Sequence, residues 1–280
     1  MDFVVFGAVI FAAFLHASWN VLVKLKLDPF SSVVLLQTVL GIFGLGLLVV
    51  FGLPPREAWP YALVSGVVHT FYLSFLAKAY EKGDFSLTYP ILRGTAPLFT
   101  LIGSVTFAGD YISWQAAAGI LVLIAGLMAL AFAKTGQLET RGQAVFYALL
   151  TAVTISCYTI IDGLGARAAG NPSQYAGLTF FTFGIFIFCF ALWRRGRALM
   201  PALLPHWKRG IIGGSVSAVA YWIIIWCMVQ APIAMVAALR ETSVLFGIML
   251  SSYFLKERLT PIRIAGGVLI VAGAAILRLS

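Results

Sequence analysis

Leu92-Arg93-Gly94-Thr95 and Leu239-Arg240-Glu241-Thr242 carry one motif, in the fourth and ninth of ten apolar segments, at a fixed offset of 147 residues. Extended without a gap, the offset sets Leu92 to Leu130 against Leu239 to Leu277. It gives twelve identities in thirty-nine positions, among them Phe99/Phe246, Ser104/Ser251, Gly119/Gly266 and Gly126/Gly273. The chain therefore reads as a duplication with an arginine at matching depth in each half. In a membrane bundle this is the pattern of a carrier whose binding site lies near the interface of two repeats.

Composition agrees with that reading. With 61% apolar residues, 10% charged residues and a mean hydropathy of +0.98, too little polar surface remains to face water, so lipid is the expected solvent. A spanning helix needs roughly 20 apolar residues. Such windows run Phe3 to Val23, Ser31 to Leu53, Trp59 to Ala79, Phe85 to Ala108 and Ser113 to Ala133. After a polar stretch they continue Gly142 to Gly165, Gln174 to Trp193, Gly210 to Gln230, Pro232 to Leu255 and Pro261 to Leu279. The expected fold is an all-α integral membrane protein of ten transmembrane helices in two inverted five-helix repeats, spanning residues 1–135 and 140–280 as one structural unit. Asp2 opens the first window, and no Lys or Arg precedes Lys24, so that segment reads as a retained helix rather than a secretory signal.

The net charge of +9 is spread along short loops. Fourteen of the nineteen Lys and Arg fall in the odd connections: Lys24, Lys26, Lys78, Lys82, Lys134, Arg141, Arg194, Arg195, Arg197, Lys208, Arg209, Lys256, Arg258 and Arg263. Only Arg56, Arg167 and Arg278 fall in the even connections or at the terminus. The expected location is the inner (plasma) membrane, as a multi-pass protein, and the bias predicts odd loops in the cytoplasm and both termini outside. It is inverted between the halves, as two tandem copies of an odd number of helices require. It argues against a nucleic-acid surface, which would gather the charge in one domain. Cys157, Cys189 and Cys227 lie singly in apolar segments, and no HExxH, GxSxG, phosphate-binding glycine loop or His/Cys/Asp cluster is present. The sequence offers no catalytic residue, no metal site and no cofactor site.

Ionisable groups in the spans carry the functional reading, because each costs about 2.5 to 3.5 kcal/mol at a helix centre. Arg93 and Arg240 each lie eight residues into their windows, roughly 12 Å deep at 1.5 Å per residue. Two guanidinium groups from opposite sides suit a carboxylate or phosphate. Neutralisation of a buried acid or of helix carbonyls is the competing account. Pro90, Gly94 and Pro97 free carbonyls beside Arg93, so the fourth helix is expected to kink there. Glu241 stands where the first half has Gly94. Consecutive helix positions diverge by about 100°, so Glu241 needs a partner on another helix or a proton. Polar faces elsewhere add His16, Trp19 and Asn20 on the first helix and His69 and Tyr72 on the third. Tyr89 belongs to the fourth helix, Tyr158 and Asp162 to the sixth, and Tyr221 and Trp222 to the eighth. Arg93, Arg240, Glu241, Trp19, Asn20, His69, Tyr72, Tyr89, Tyr158, Tyr221 and Trp222 form the candidate substrate site, with Glu241, Asp162 and His16 as candidates for proton coupling.

His16-Ala-Ser-Trp-Asn20, Lys82-Gly-Asp-Phe-Ser86 with Tyr89-Pro-Ile-Leu-Arg-Gly94, and Leu239-Arg-Glu241 with Phe254-Leu-Lys-Glu-Arg-Leu259 resemble EamA-type members of the drug/metabolite transporter superfamily across essentially all 280 residues. The resemblance implies a secondary transporter with an inverted five-plus-five repeat and a central cavity open alternately to each side. Its substrates would be amino acids or related metabolites, often exported. The expected substrate is an amino acid or similar zwitterion, with an organic or phosphorylated anion as the alternative; a pore or a membrane-embedded enzyme fits the residues less well. The expected partners are the lipid bilayer and a small-molecule substrate, in a monomer or homodimer.

Overall fold

In the computed structural model, residues 1–22, 29–83, 85–132, 142–255 and 260–280 are described, and among them every regular element is helical. The first half contributes α1 (Phe3–Leu22), α2 (Pro29–Phe51), α3 (Trp59–Lys82), α4 (Phe85–Phe107) and α5 (Trp114–Phe132). The second contributes α6 (Gly142–Ala169), α7 (Pro172–Arg195), a short α8 (Leu199–Leu203), α9 (Trp207–Gln230), α10 (Ile233–Arg240), α11 (Ser243–Leu255) and α12 (Pro261–Leu279). Helix is what such a sequence forms in lipid, where every backbone N–H and C=O must be satisfied within its own segment.

Six stretches among the described residues are long and apolar enough to cross a membrane: Phe30–Phe51, Arg56–Lys82, Gly142–Ala169, Pro172–Gln230, Ile233–Leu250 and Pro261–Leu279. The fourth of these contains both α7 and α9, and three shorter apolar helices accompany them at Phe3–Trp19, Ile91–Phe107 and Trp114–Leu130. Large apolar side chains such as Val49, Phe107, Ile212 and Val268 point outward, as expected of a surface that meets acyl chains.

Local chemistry places the helix ends. Pro172 and Pro261 occupy the first turns of α7 and α12. The Asn171 side chain accepts from the Ser173 N–H, and the Thr260 hydroxyl stands at the cap of α12. Gly170, at φ 68°, turns the chain from α6 into α7 in the left-handed conformation that suits glycine. The polar connection after α7 holds more helix than the windows suggested, since α8 lies between two 3₁₀ turns and buries Leu199 and Leu203.

Equivalent helices of the two halves pack against each other. In α5 and α12, Gly119 meets Gly273 and Gly126 meets Gly266. A Cβ added at Gly126 would lie 2.7 Å from the Gly266 carbonyl oxygen. As numbers rise along one helix they fall along its neighbour, so the pair runs antiparallel. Helices α2 and α7 make a second antiparallel contact, with Gly41 against Gly184 and Gly44 against Gly177. Each half also reaches into the other: α3 and α4 pack on α6, while α1 packs on α9, α10 and α11.

The largest departure from expectation lies in the ninth apolar window, Pro232 to Leu255, read from sequence as one helix. It is two helices, α10 and α11, interrupted at Glu241 and Thr242. Here the backbone tightens: Glu241 N–H donates to Ala238 O at 3.0 Å, Thr242 N–H to Leu239 O at 3.0 Å, and Leu245 N–H to Thr242 O at 2.9 Å. The Thr242 hydroxyl also donates to Leu239 O at 2.7 Å, competing for a carbonyl that a regular helix would use itself. By contrast α4, with Pro90 and Pro97, runs without interruption from Phe85 to Phe107. The break falls in the segment whose one proline, Pro232, stands at its start and not at the break.

Candidate functional site

Helices α3, α4, α6, α9 and α10 converge on the middle of the bundle, where Tyr221 packs against three of the core clusters at once. The repeat motif is brought there from both halves, and its two arginines have different surroundings.

Arg93, on α4, points across the repeat boundary into the break between α10 and α11. Its Nε lies 2.8 Å from Glu241 Oε2, and its Nη2 donates to Ser243 Oγ at 2.9 Å. Glu241 is 2% exposed and Ser243 4% exposed. The tightened turn presents both to the same guanidinium, an arrangement a regular helix would not provide for positions two apart. The partner Glu241 needs is therefore Arg93, its repeat-mate's neighbour.

Arg240, at the end of α10, is 8% exposed, yet its Nε has no hydrogen-bond partner and it forms no ion pair among the described residues. The groups in electrostatic range of it include Tyr158, Glu241, Tyr221 and Arg93. His16 feels both arginines and His69 feels Arg240, so α1 and α3 face the same region.

Asp162, on α6, is completely buried. Tyr175 donates its hydroxyl to Oδ1 at 3.0 Å and Tyr221 to Oδ2 at 2.6 Å, while no cation lies within ion-pair distance among the described residues. Arg240 is in electrostatic range of Asp162, and Tyr221 interacts with both. The middle of the bundle thus holds one satisfied ion pair, Arg93 with Glu241, and two separated opposite charges, Arg240 and Asp162, with a tyrosine related to each. A buried charge without a counter-charge is costly, and a ligand carrying both signs would relieve two such costs together.

Aromatic rings line one side. The His69 ring lies tilted against Tyr158 at 4.0 Å and against Phe183 at 3.9 Å, and Tyr72 approaches both His69 and Tyr158 at 5.8 Å. His69 also borders a crevice with Gln37, Gly66, Thr70 and Phe183. On α1, His16 and Trp19 sit edge to face at 5.7 Å, and the buried Trp19 indole N–H has no hydrogen-bond partner among the described residues.

Of the residues singled out in the sequence, Arg93, Arg240, Glu241, His16, His69, Tyr72, Tyr158, Asp162 and Tyr221 are thus brought together. Trp222 is not. It follows Tyr221 on α9 and so points elsewhere, its indole donating to Ser173 Oγ at 3.1 Å with Phe43 and Phe51 against its ring. The side chains of Asn20 and Tyr89, and Lys256 to Leu259 of the second-half motif, lie outside the described residues. Sequence reasoning missed Ser243 and Tyr175. It also missed a second ion pair, Asp110 with Arg167 at 2.8 Å, beside the connections between α4 and α5 and between α9 and α10. Asp110 as a lone acid in a loop rich in apolar residues was the available signal.

The chain matches the EamA-like transporter family twice, over residues 2–132 and over 142–279. A solved crystal structure superimposes on it with a TM-score of 0.77 at 18% identity, over 98% of this chain and 97% of the other, a likeness of fold. No curated protein sequence matches it.

Proposed function

The chain belongs to the EamA-like transporter family, and from that premise we propose that it is a secondary carrier for an amino acid or a similar zwitterion. Family membership makes it a multi-pass membrane transporter; the ligand class rests on the charge pattern at the centre. Arg240 and Asp162 are buried, opposite in sign, and joined to no counter-ion among the described residues. The Arg240 guanidinium can hold a carboxylate through two parallel hydrogen bonds. Asp162 can receive an ammonium group, and the His69, Tyr72 and Tyr158 rings can take an apolar or aromatic side chain. The organic-anion alternative loses support because Arg93, the second guanidinium such a ligand would use, is already matched by Glu241.

The architecture completes the proposal. The ten-passage count treats α10 and α11 as one broken passage and α7 and α9 as two, with α8 in the connection between them. The antiparallel crossings of α2 with α7 and of α5 with α12 support opposite orientation of the halves. A broken helix whose free ends face the bundle centre is how carriers build a midplane site. We place the protein in the inner membrane with both termini outside, alternating access between the two faces and exporting its substrate. With Glu241 held by Arg93, Asp162 is the stronger candidate for a coupling proton.

Counterflow in proteoliposomes tests this. Purified protein loaded with a mixture of radiolabelled amino acids should exchange at least one of them, and Arg240→Ala should abolish that exchange. Exchange driven by organic phosphates alone, with no response to any amino acid, would replace the zwitterion with the anion reading.

A further inference from the structure

Far from the central charges, the ends of four segments meet in one polar cluster. Asp110, in the connection between α4 and α5, has a side chain 8% exposed. Its Oδ2 accepts the Ile233 N–H at 2.8 Å and the Ser104 hydroxyl at 2.5 Å, and Ser104 Oγ in turn accepts the Ala234 N–H at 3.4 Å. A carboxylate from the first half thus caps the first turn of α10 in the second. Asp110 Oδ1 pairs with Arg167 Nη1 at 2.8 Å. Arg167 also donates from Nε to Met228 O at 3.1 Å and from Nη2 to Ala231 O at 3.3 Å, closing the end of α9. The charges alternate in sign along the chain of contacts: α9 C-terminus, Arg167, Asp110, α10 N-terminus.

Helix α10 gives this cluster its reach. All eight of its residues are buried, and it runs from the Asp110 cap at Ile233 to Arg240, about 12 Å at the helical rise. Beyond Arg240 the helix is interrupted before α11 begins at Ser243, which leaves α10 a short rod of its own. Asp110 belongs to the half that carries Arg93, and α10 to the half that carries Arg240. We propose that Asp110 is a positioning residue for transport. Its carboxylate clamps α10 to the first half, seals the face on which the termini lie, and sets the place of Arg240, so that this face opens only when the clamp releases.

The inference rests on the carrier reading, and its test is read without any substrate. A single cysteine, Ala237→Cys, is placed on α10 in a background with Cys157, Cys189 and Cys227 replaced. Ala237 is 4% exposed, so a membrane-impermeant maleimide should react slowly in the parent protein held in lipid nanodiscs. Asp110→Asn and Arg167→Gln should each speed labelling by about tenfold, the change expected when a population shifts by one decade. The charge-swapped Asp110→Arg/Arg167→Asp protein should stay fast, because an arginine cannot accept the Ile233 N–H. A simple ion pair would be restored by the swap. Ser104→Ala, which removes one hydroxyl, should give a smaller increase of about threefold. Unchanged labelling in folded, monodisperse Asp110→Asn, or recovery in the swap, would overturn the proposal. So would loss of the folded protein in every variant including Ser104→Ala, which would make the clamp a folding element only. A wrong ligand class in the carrier reading would leave these rates untouched, since none depends on a ligand.

Discussion

Helix α4 and the α10–α11 pair descend from one motif and differ where it matters. In α4, Thr95 returns its hydroxyl to Ile91 O, four residues back, and the helix continues. In the second half, Thr242 returns its hydroxyl to Leu239 O, three residues back, and the helix stops. The unbroken helix carries the arginine whose charge is consumed, Arg93. The broken one supplies the acid that consumes it, Glu241, and presents its own arginine with no ion pair among the described residues. A near-symmetric frame thus holds an asymmetric pair of charges. Matching depth in two repeats does not imply matching duty.

The largest expected effect comes from removing the acid that makes the halves differ. Glu241→Gln leaves Arg93 as an uncompensated buried cation and should cost about 3 to 5 kcal/mol of stability, read as a fall in the thermal unfolding midpoint of the detergent-solubilised protein. Pairing it with Arg93→Met should return much of that loss. Arg240→Ala should behave in the opposite way: ligand affinity should fall about a hundredfold, which is about 2.7 kcal/mol, while the unfolding midpoint changes far less, because Arg240 is ion-paired to no carboxylate among the described residues. Equal destabilisation by Arg240→Ala and Glu241→Gln would erase the distinction between the arginines. Asp162→Asn should weaken a zwitterion about tenfold, roughly 1.4 kcal/mol, yet spare an analogue lacking the amine. Competition with matched amino and deamino acids measures this. The smallest effect is expected at Gly94, the position that answers Glu241. A Cβ there would meet the flexible end of Met128 at 3.0 Å, so Gly94→Ala should change stability by less than about 1.5 kcal/mol and leave affinity alone. A large loss of binding in that variant would show that the unbroken half also touches ligand.

Much of the fold is legible in the amino-acid order, because lipid leaves few options: apolar windows near the length of a bilayer become helices, and most window edges fall within a few residues of the observed ends. The helix break was not legible. Prolines drew attention to α4, whereas α10 and α11 are parted by a threonine back-bond and a carboxylate pulled toward another helix, neither of which leaves a mark in composition. The central ionisable residues stood out because charge in lipid is rare, but which arginine Glu241 would face depends on how α4 crosses the second half. No spacing along the chain encodes that. Trp222 shows the same limit. It shares an apolar stretch with Tyr221, and one step of helix rotation sends it to Phe43 and Phe51 instead of the centre. Asp110 and Arg167, 57 positions apart, look in sequence like ordinary residues at helix ends; their meaning depends on Ile233 arriving beside them.

The glycine crossing of α5 with α12 has a consequence for how such a molecule is put together. Gly119 corresponds to Gly266 and Gly126 to Gly273 under the 147-residue offset, and the observed contacts are Gly119 with Gly273 and Gly126 with Gly266. Each half offers the other the same two positions in exchanged order, which is the signature of an isologous interface, the kind two identical subunits make around a dyad. The covalent link between the halves is therefore not what brings them into register. Two separately expressed five-helix chains, 1–135 and 140–280, should find each other in one membrane and co-purify. Gly126→Leu in one chain should prevent it, since a branched side chain cannot enter a gap where even a methyl group would touch the opposing backbone.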